Sequence, residues 1–92
     1  MAVKRLHLVI HGTVQGVYFR DYAKAEALKL GVAGWIKNMA NGTVEAVVEG
    51  DGEQVDQMIK WLEVGSPGAE VEKIVAREER PYGEAGAFNI RF

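Results

Sequence analysis

The chain has 92 residues, 48% of them hydrophobic, and a formal net charge of −2 with acidic and basic residues interspersed. That length suits one domain with a core of its own, and the balance lacks the basic face of a general nucleic-acid binder. There is no cysteine, which excludes disulfides and thiolate chemistry, and no apolar run approaches the ~20 residues of a membrane span.

Lys4 and Arg5 are not followed by an apolar segment of signal length. The expectation is a soluble, cytoplasmic protein. Residues 3–11 alternate: Leu6, Leu8 and Ile10 share one face, and Arg5, His7, Val9 and His11 share the other. This reads as a strand buried mainly on one side. His7 and His11 are then sheet-surface residues rather than catalytic bases.

Next comes Gly12-Thr13-Val14-Gln15-Gly16-Val17-Tyr18-Phe19-Arg20, the stretch around which the chain is organised. A strand, a glycine loop and a helix start together make a device for holding an anion. Glycines let successive N–H groups turn toward one point. The first N–H groups of a helix have no internal partner and lie at the positive end of its dipole. Arg20 adds a fixed charge and a planar fork that suits a phosphate. A plain strand-to-helix turn remains the alternative. The loop lacks the Lys-Ser/Thr ending of a P-loop and the third glycine of a dinucleotide fingerprint, so the anion is expected to be small.

The spacing predicts a first helix over 19–30, with Phe19, Tyr22, Ala23, Ala27 and Leu30 as its core stripe and Gly31 as its stop. Tyr18, at the loop tip, is open to either role. A second strand covers 32–38. Asn41-Gly42 supplies turn chemistry for a hairpin, and a third strand covers 43–49 with Val44, Ala46 and Val48 inward. Glu45 and Glu49 point the other way, toward solvent. Asp51 with Gln54 resembles a capping box for a second helix. Its buried stripe is Val55, Met58, Ile59 and Leu62, while Glu53, Gln54, Asp56, Gln57 and Lys60 face water. Gly65 to Gly68 end it. A fourth strand over 71–79 carries a parity break between Val71 and Ile74, which fits either a bulge or a shifted strand start. A loop over 81–86 leads to a short last strand over 87–92.

This order fits an α+β, ferredoxin-like two-layer sandwich: an antiparallel-rich sheet of four strands plus a short fifth, with two helices on one face. In that fold the first and second strands are parallel, so their carboxyl ends share one sheet edge. Asn38 shares the parity of Ile36 and leans toward the helix side, where the glycine loop lies. A hairpin residue bonding its own backbone is the other reading of Asn38.

The glycine loop, together with Gly34-Trp35-Ile36-Lys37-Asn38 and Gly42-Thr43-Val44-Glu45, resembles the acylphosphatase family. The resemblance covers about residues 3–92. It implies hydrolysis of the carboxyl–phosphate bond of acyl phosphates, with Arg20 and the N–H groups of Gln15, Gly16, Val17, Tyr18, Phe19 and Arg20 holding the phosphoryl group. It also implies that Asn38 positions the attacking water. It implies no cofactor and no metal, and a monomer whose partner is a small acyl phosphate rather than nucleic acid or membrane. Tyr18, Lys37 and Ala40-Asn41 depart from the commonest family pattern and bear on substrate preference rather than reaction class. A non-catalytic ferredoxin-like module for a small anion or RNA is the competing function. RNA-binding sheets of this kind display aromatics on the open face. The opposite-parity residues of strands one and three include none.

Overall fold

The computed structural model describes residues 2–83 and 87–92. In chain order the elements are β1 (Val3–Thr13), α1 (Phe19–Leu30), β2 (Ala33–Asn38), β3 (Val44–Asp51), α2 (Gly52–Val64), β4 (Glu70–Glu79) and β5 (Phe88–Arg91). Residues 84–86 of the expected loop lie outside the described residues. The strands form one sheet in the order β4-β1-β3-β2-β5. β1 and β2 are each antiparallel to β3 and therefore run the same way, and β5 lies parallel to β2. This is the ferredoxin-like α+β arrangement with its short fifth strand.

Strand alternation decides which residues enter the core. Leu8, Ile10, Ile36, Val44, Ala46 and Val48 are fully buried beneath the helices, together with Phe88 of β5. The helices answer with Phe19, Ala23 and Ala27 from α1 and Val55, Met58 and Leu62 from α2. The Phe19 and Trp61 rings meet at 5.8 Å between centroids, tilted by 52°. Burial of a side chain such as Leu8 contributes about 2 kcal/mol, and Leu8→Ala would cost more because a cavity remains.

Several expectations are corrected. Tyr22 does not belong to the core stripe: it is 48% exposed, because the buried line runs Phe19–Ala23–Ala27 and Tyr22 stands on its flank. Glu49 does not face water. It is 5% exposed, and its carboxylate takes the Arg5 Nη1 at 3.0 Å and the main-chain N–H groups of Tyr82 and Gly83 at 2.9 and 2.8 Å. Strand parity put Glu49 on the open face correctly, but the returning chain at 82–83 covers it there. The capping box is half made. Asp51 accepts from the Glu53 N–H, whereas the Gln54 Oε1 is buried rather than solvated. The bulge is present: His11 pairs with Lys73 and Gly12 with Val71, which leaves Glu72 as the extra residue. Gly12 at φ 131° is required at this point, because a Cβ there would collide with the Glu70 carbonyl. Among the described residues, no helix is long and apolar enough to cross a membrane.

Candidate active site

β1 delivers the chain to one edge of the sheet, and the loop turns there into α1. Gly16 takes φ 75°, an angle open to glycine without cost. Tyr18, the N-cap of α1, also lies in the left-handed region at φ 57° and ψ 28°. Among the described residues it is the only non-glycine with positive φ. That conformation costs a residue with a Cβ about 1–2 kcal/mol. Its carbonyl starts the helix by accepting from the Tyr22 N–H at 3.1 Å, and its side chain makes no cap bond. The main-chain N–H groups of residues 16–20 have no backbone acceptor among the described residues. They are donors held at a helix N-terminus for something outside the backbone.

Two side chains fix this loop. The Ser66 hydroxyl donates to the Val17 carbonyl at 2.8 Å. The Gln15 amide donates to the Met39 and Thr43 carbonyls at 2.7 and 2.9 Å, tying the glycine loop to the β2–β3 hairpin. That hairpin is closed by the Met39 N–H on the Thr43 carbonyl. The Asn41 Oδ1 accepts from both the N–H and the hydroxyl of Thr43. Asn41 and Gly42, at φ 91°, do supply the turn chemistry.

Asn38, the last residue of β2, is not used by the turn. Its Oδ1 is buried and has no hydrogen-bond partner among the described residues. A buried amide oxygen left unpaired costs about 1–3 kcal/mol, so a ligand or water that donates to it is favoured. Arg20 stands across the same cleft. Its Nη1 donates to the Arg91 carbonyl at 3.2 Å, and its guanidinium lies over the Phe92 ring at 4.9 Å. β5 reaches Arg20 because it runs parallel to β2, so the two strands end at the same edge.

Val14, Gly16, Tyr18, Phe19, Arg20, Asp21 and Asn38 line an open cleft of ≈ 340 Å³. The structure thus brings together Gly16, Tyr18, Phe19, Arg20 and Asn38, which lie in two separate stretches of sequence. Gln15 and Val17 contribute main chain to the loop but stand outside the cleft lining. The Gln15 side chain is a strut, and the Val17 side chain packs against the core. Four participants escaped the sequence reading: Val14 and Asp21 in the lining, and Arg91 and Phe92 as the seat of Arg20. The parallel pairing of a fifth strand was the signal that would have found the last two. Asp21 sits in the first turn of α1, where an acid suits the dipole, and it places a negative charge in the same lining as Arg20.

A cleft with free amides, one cation and one unpaired amide oxygen can hold a small tetrahedral anion and orient a water against it. The family model described as Acylphosphatase matches residues 6–90. An acylphosphatase of Pelotomaculum thermopropionicum is 46% identical over 92 residues, with 100% of each chain covered. One of Thermococcus kodakarensis is 50% identical over 82 residues, covering 89% of this chain and 90% of the relative. The crystal structure of acylphosphatase from Bacillus subtilis superposes with a TM-score of 0.92 at 32% identity, covering 99% of this chain and 100% of the other.

Proposed function

The chain belongs to the acylphosphatase family, and from that premise we propose that it hydrolyses acyl phosphates in this cleft, with Arg20 and the loop holding the phosphoryl group and Asn38 holding the water. The observation that carries the assignment is the pairing of unbonded N–H groups at residues 16–20 with the buried, unpartnered Asn38 Oδ1 across one cleft.

The phosphoryl oxygens take the loop N–H groups and the Arg20 fork. A water donates one hydrogen to the Asn38 Oδ1, which aims its lone pair at phosphorus. The new water–phosphorus bond forms as the phosphorus–acyl oxygen bond breaks, and the breaking pair leaves on the carboxylate. A water proton passes to a phosphoryl oxygen. The carboxylate is a stable anion, so no acid need protonate it. Catalysis of such a loose transfer rests on position and charge.

The same reading makes the chain a single-domain, cytoplasmic monomer acting on a small acyl phosphate, without nucleic acid as a partner. The open-face aromatic of β2, Trp35, fits this: it is taken up by Arg91 at 4.5 Å and Lys37 at 5.7 Å rather than left free for a base.

The test is phosphate release from benzoyl and acetyl phosphate by the wild type, Arg20→Lys and Asn38→Ala. Arg20→Lys keeps charge and loses the fork. It should lose about 2–4 kcal/mol of transition-state stabilisation and bind inorganic phosphate less well. Asn38→Ala should lower turnover by orders of magnitude while phosphate still inhibits with similar affinity, the pattern of a contact made in the transition state. Parallel collapse of phosphate binding in Asn38→Ala would make Asn38 a pin of the loop and end its role with water.

A further inference from the structure

We propose that Tyr18 is the specificity residue of this site, its ring forming the wall against which a flat apolar acyl group lies, so that aromatic acyl phosphates are preferred over small aliphatic ones. The inference rests on the hydrolase reading above and names the substrate class of that cleft.

Tyr18 occupies a backbone conformation that glycine adopts without strain, and Gly16, two residues before it, does so. The loop geometry therefore explains the left-handed angle but not the tyrosine. Folding does not explain it either. The side chain is 74% exposed, makes no cap hydrogen bond and is absent from the hydrophobic core and from its packed fringe. A strained residue whose side chain contributes nothing to the fold points to a use outside it. The cleft supplies that use, because Tyr18 lines it together with Arg20 and Asn38.

The chemistry follows from what the cleft already assigns. The phosphoryl end is taken by amides and a guanidinium, and the water side by Asn38. The acyl group leaves on the side away from the water and must lie along the remaining wall. Val14 is 1% exposed, the Phe19 ring is buried against Trp61, and the exposed Phe92 ring lies under the Arg20 guanidinium outside the cleft lining, so none of the three offers the acyl group an apolar face. Tyr18 does: a planar ring, standing in solvent, with few torsions to freeze. Offset stacking on an aryl group is the contact such a ring makes best.

The experiment compares kcat/KM for benzoyl phosphate and acetyl phosphate in the wild type, Tyr18→Gly and Tyr18→Phe, with urea midpoints alongside. Any change in phosphate binding from the altered backbone acts on both substrates and cancels in the ratio. The benzoyl-to-acetyl ratio should fall about two- to tenfold in Tyr18→Gly, the worth of one aromatic pair. The fall should come chiefly through KM, and the urea midpoint should not drop, since strain is relieved. Tyr18→Phe should keep the wild-type ratio. An unchanged ratio in Tyr18→Gly overturns the proposal, and so does an equal fall in Tyr18→Phe, which would assign the effect to the hydroxyl. Wild-type protein that releases phosphate from neither substrate defeats the hydrolase reading, and this inference with it.

Discussion

Gln15 offers a direct test of how the two halves of the cleft are held in register. Its side chain spans from the glycine loop to the hairpin that carries Asn38, donating to the Met39 and Thr43 carbonyls. Gln15→Met keeps the unbranched stem and removes both donors. Two neutral hydrogen bonds are worth about 1–3 kcal/mol together. Neither carbonyl is orphaned, however. Met39 O still accepts from the Gly42 N–H at 3.1 Å, and Thr43 O from the Met39 N–H at 2.9 Å. The loss should therefore lie in the lower half, about 1–2 kcal/mol, which is a fall of roughly 1–2 M in urea midpoint for a domain of this size. The effect on turnover should be larger in proportion. Asn38 directly precedes Met39, and misplacing a positioning group by about 1 Å costs up to roughly a hundredfold. We expect turnover to fall ten- to a hundredfold while phosphate inhibits within about twofold of wild type, because Ser66 and β5 still hold the loop and Arg20. Urea titration, steady-state kinetics and phosphate inhibition of one variant decide the matter. Lower stability with unchanged turnover would refute the reasoning, since the strut would then support the fold and not the alignment.

Two further outcomes follow from contacts at the edges of the sheet. Phe92→Ala removes the ring beneath the Arg20 guanidinium but leaves the Arg91 carbonyl. An exposed cation–π contact is worth about 0.5–1 kcal/mol, so phosphate inhibition should weaken two- to fivefold with little change in urea midpoint; no change in inhibition would sink it. The Glu79 carboxyl is held below the usual glutamate range chiefly by the hydrogen bond from Arg5, with Arg77 adding to it. A carboxyl whose folded pKa is lowered stabilises above its unfolded pKa and loses that stabilisation as pH falls through the folded value. Wild type should therefore exceed Glu79→Gln in urea midpoint near pH 7, with the gap closing below about pH 4; a constant gap from neutral to acid pH would contradict this.

The parts of the fold legible in the sequence were those governed by period. Leu6, Leu8 and Ile10, or Val44, Ala46 and Val48, declare their buried face through alternation, and Asn41-Gly42 declares its turn through backbone angles. The parity break between Val71 and Ile74 leaves a bulge or a shifted strand start open; the structure has the bulge, and Gly12 shows why it falls where it does: the glycine lets β4 approach its backbone. What stayed hidden depends on chain that returns from far away in sequence. Glu49 looked like a solvent-facing acid because nothing local reveals that 82–83 will fold over it and present two N–H groups. Arg20 was legible as a charge at the loop, but its seat, Arg91 and Phe92, was not, because it lies seventy or more positions on. The site followed the same rule. Gly16, Arg20 and Asn38 carry their own signals, whereas the Gln15 strut and the Asp21 charge are visible only once the elements are packed.

The way the site is supported matters for how it works. Each functional group is held by a different remote element: Val17 and its loop by Ser66 after α2, the hairpin bearing Asn38 by Gln15, and Arg20 by the end of β5. None of these supports joins the loop amides to the Asn38 oxygen, and among the described residues neither is tied up by a protein hydrogen bond that substrate would have to break. The loop amides and the Asn38 oxygen remain unpaired in consequence, a cost that rigid secondary structure on every side offsets. Loose phosphoryl transfer asks for this arrangement. There is little covalent work to do, so the rate depends on dipoles already aimed at the developing charge before substrate arrives. A ferredoxin-like sheet provides it because three segments, the ends of β1, β2 and β5, reach the same edge from parallel strands. The Asn38 oxygen and the seat of the Arg20 fork are thereby set from the sheet. The helix N-terminus supplies the amides from above.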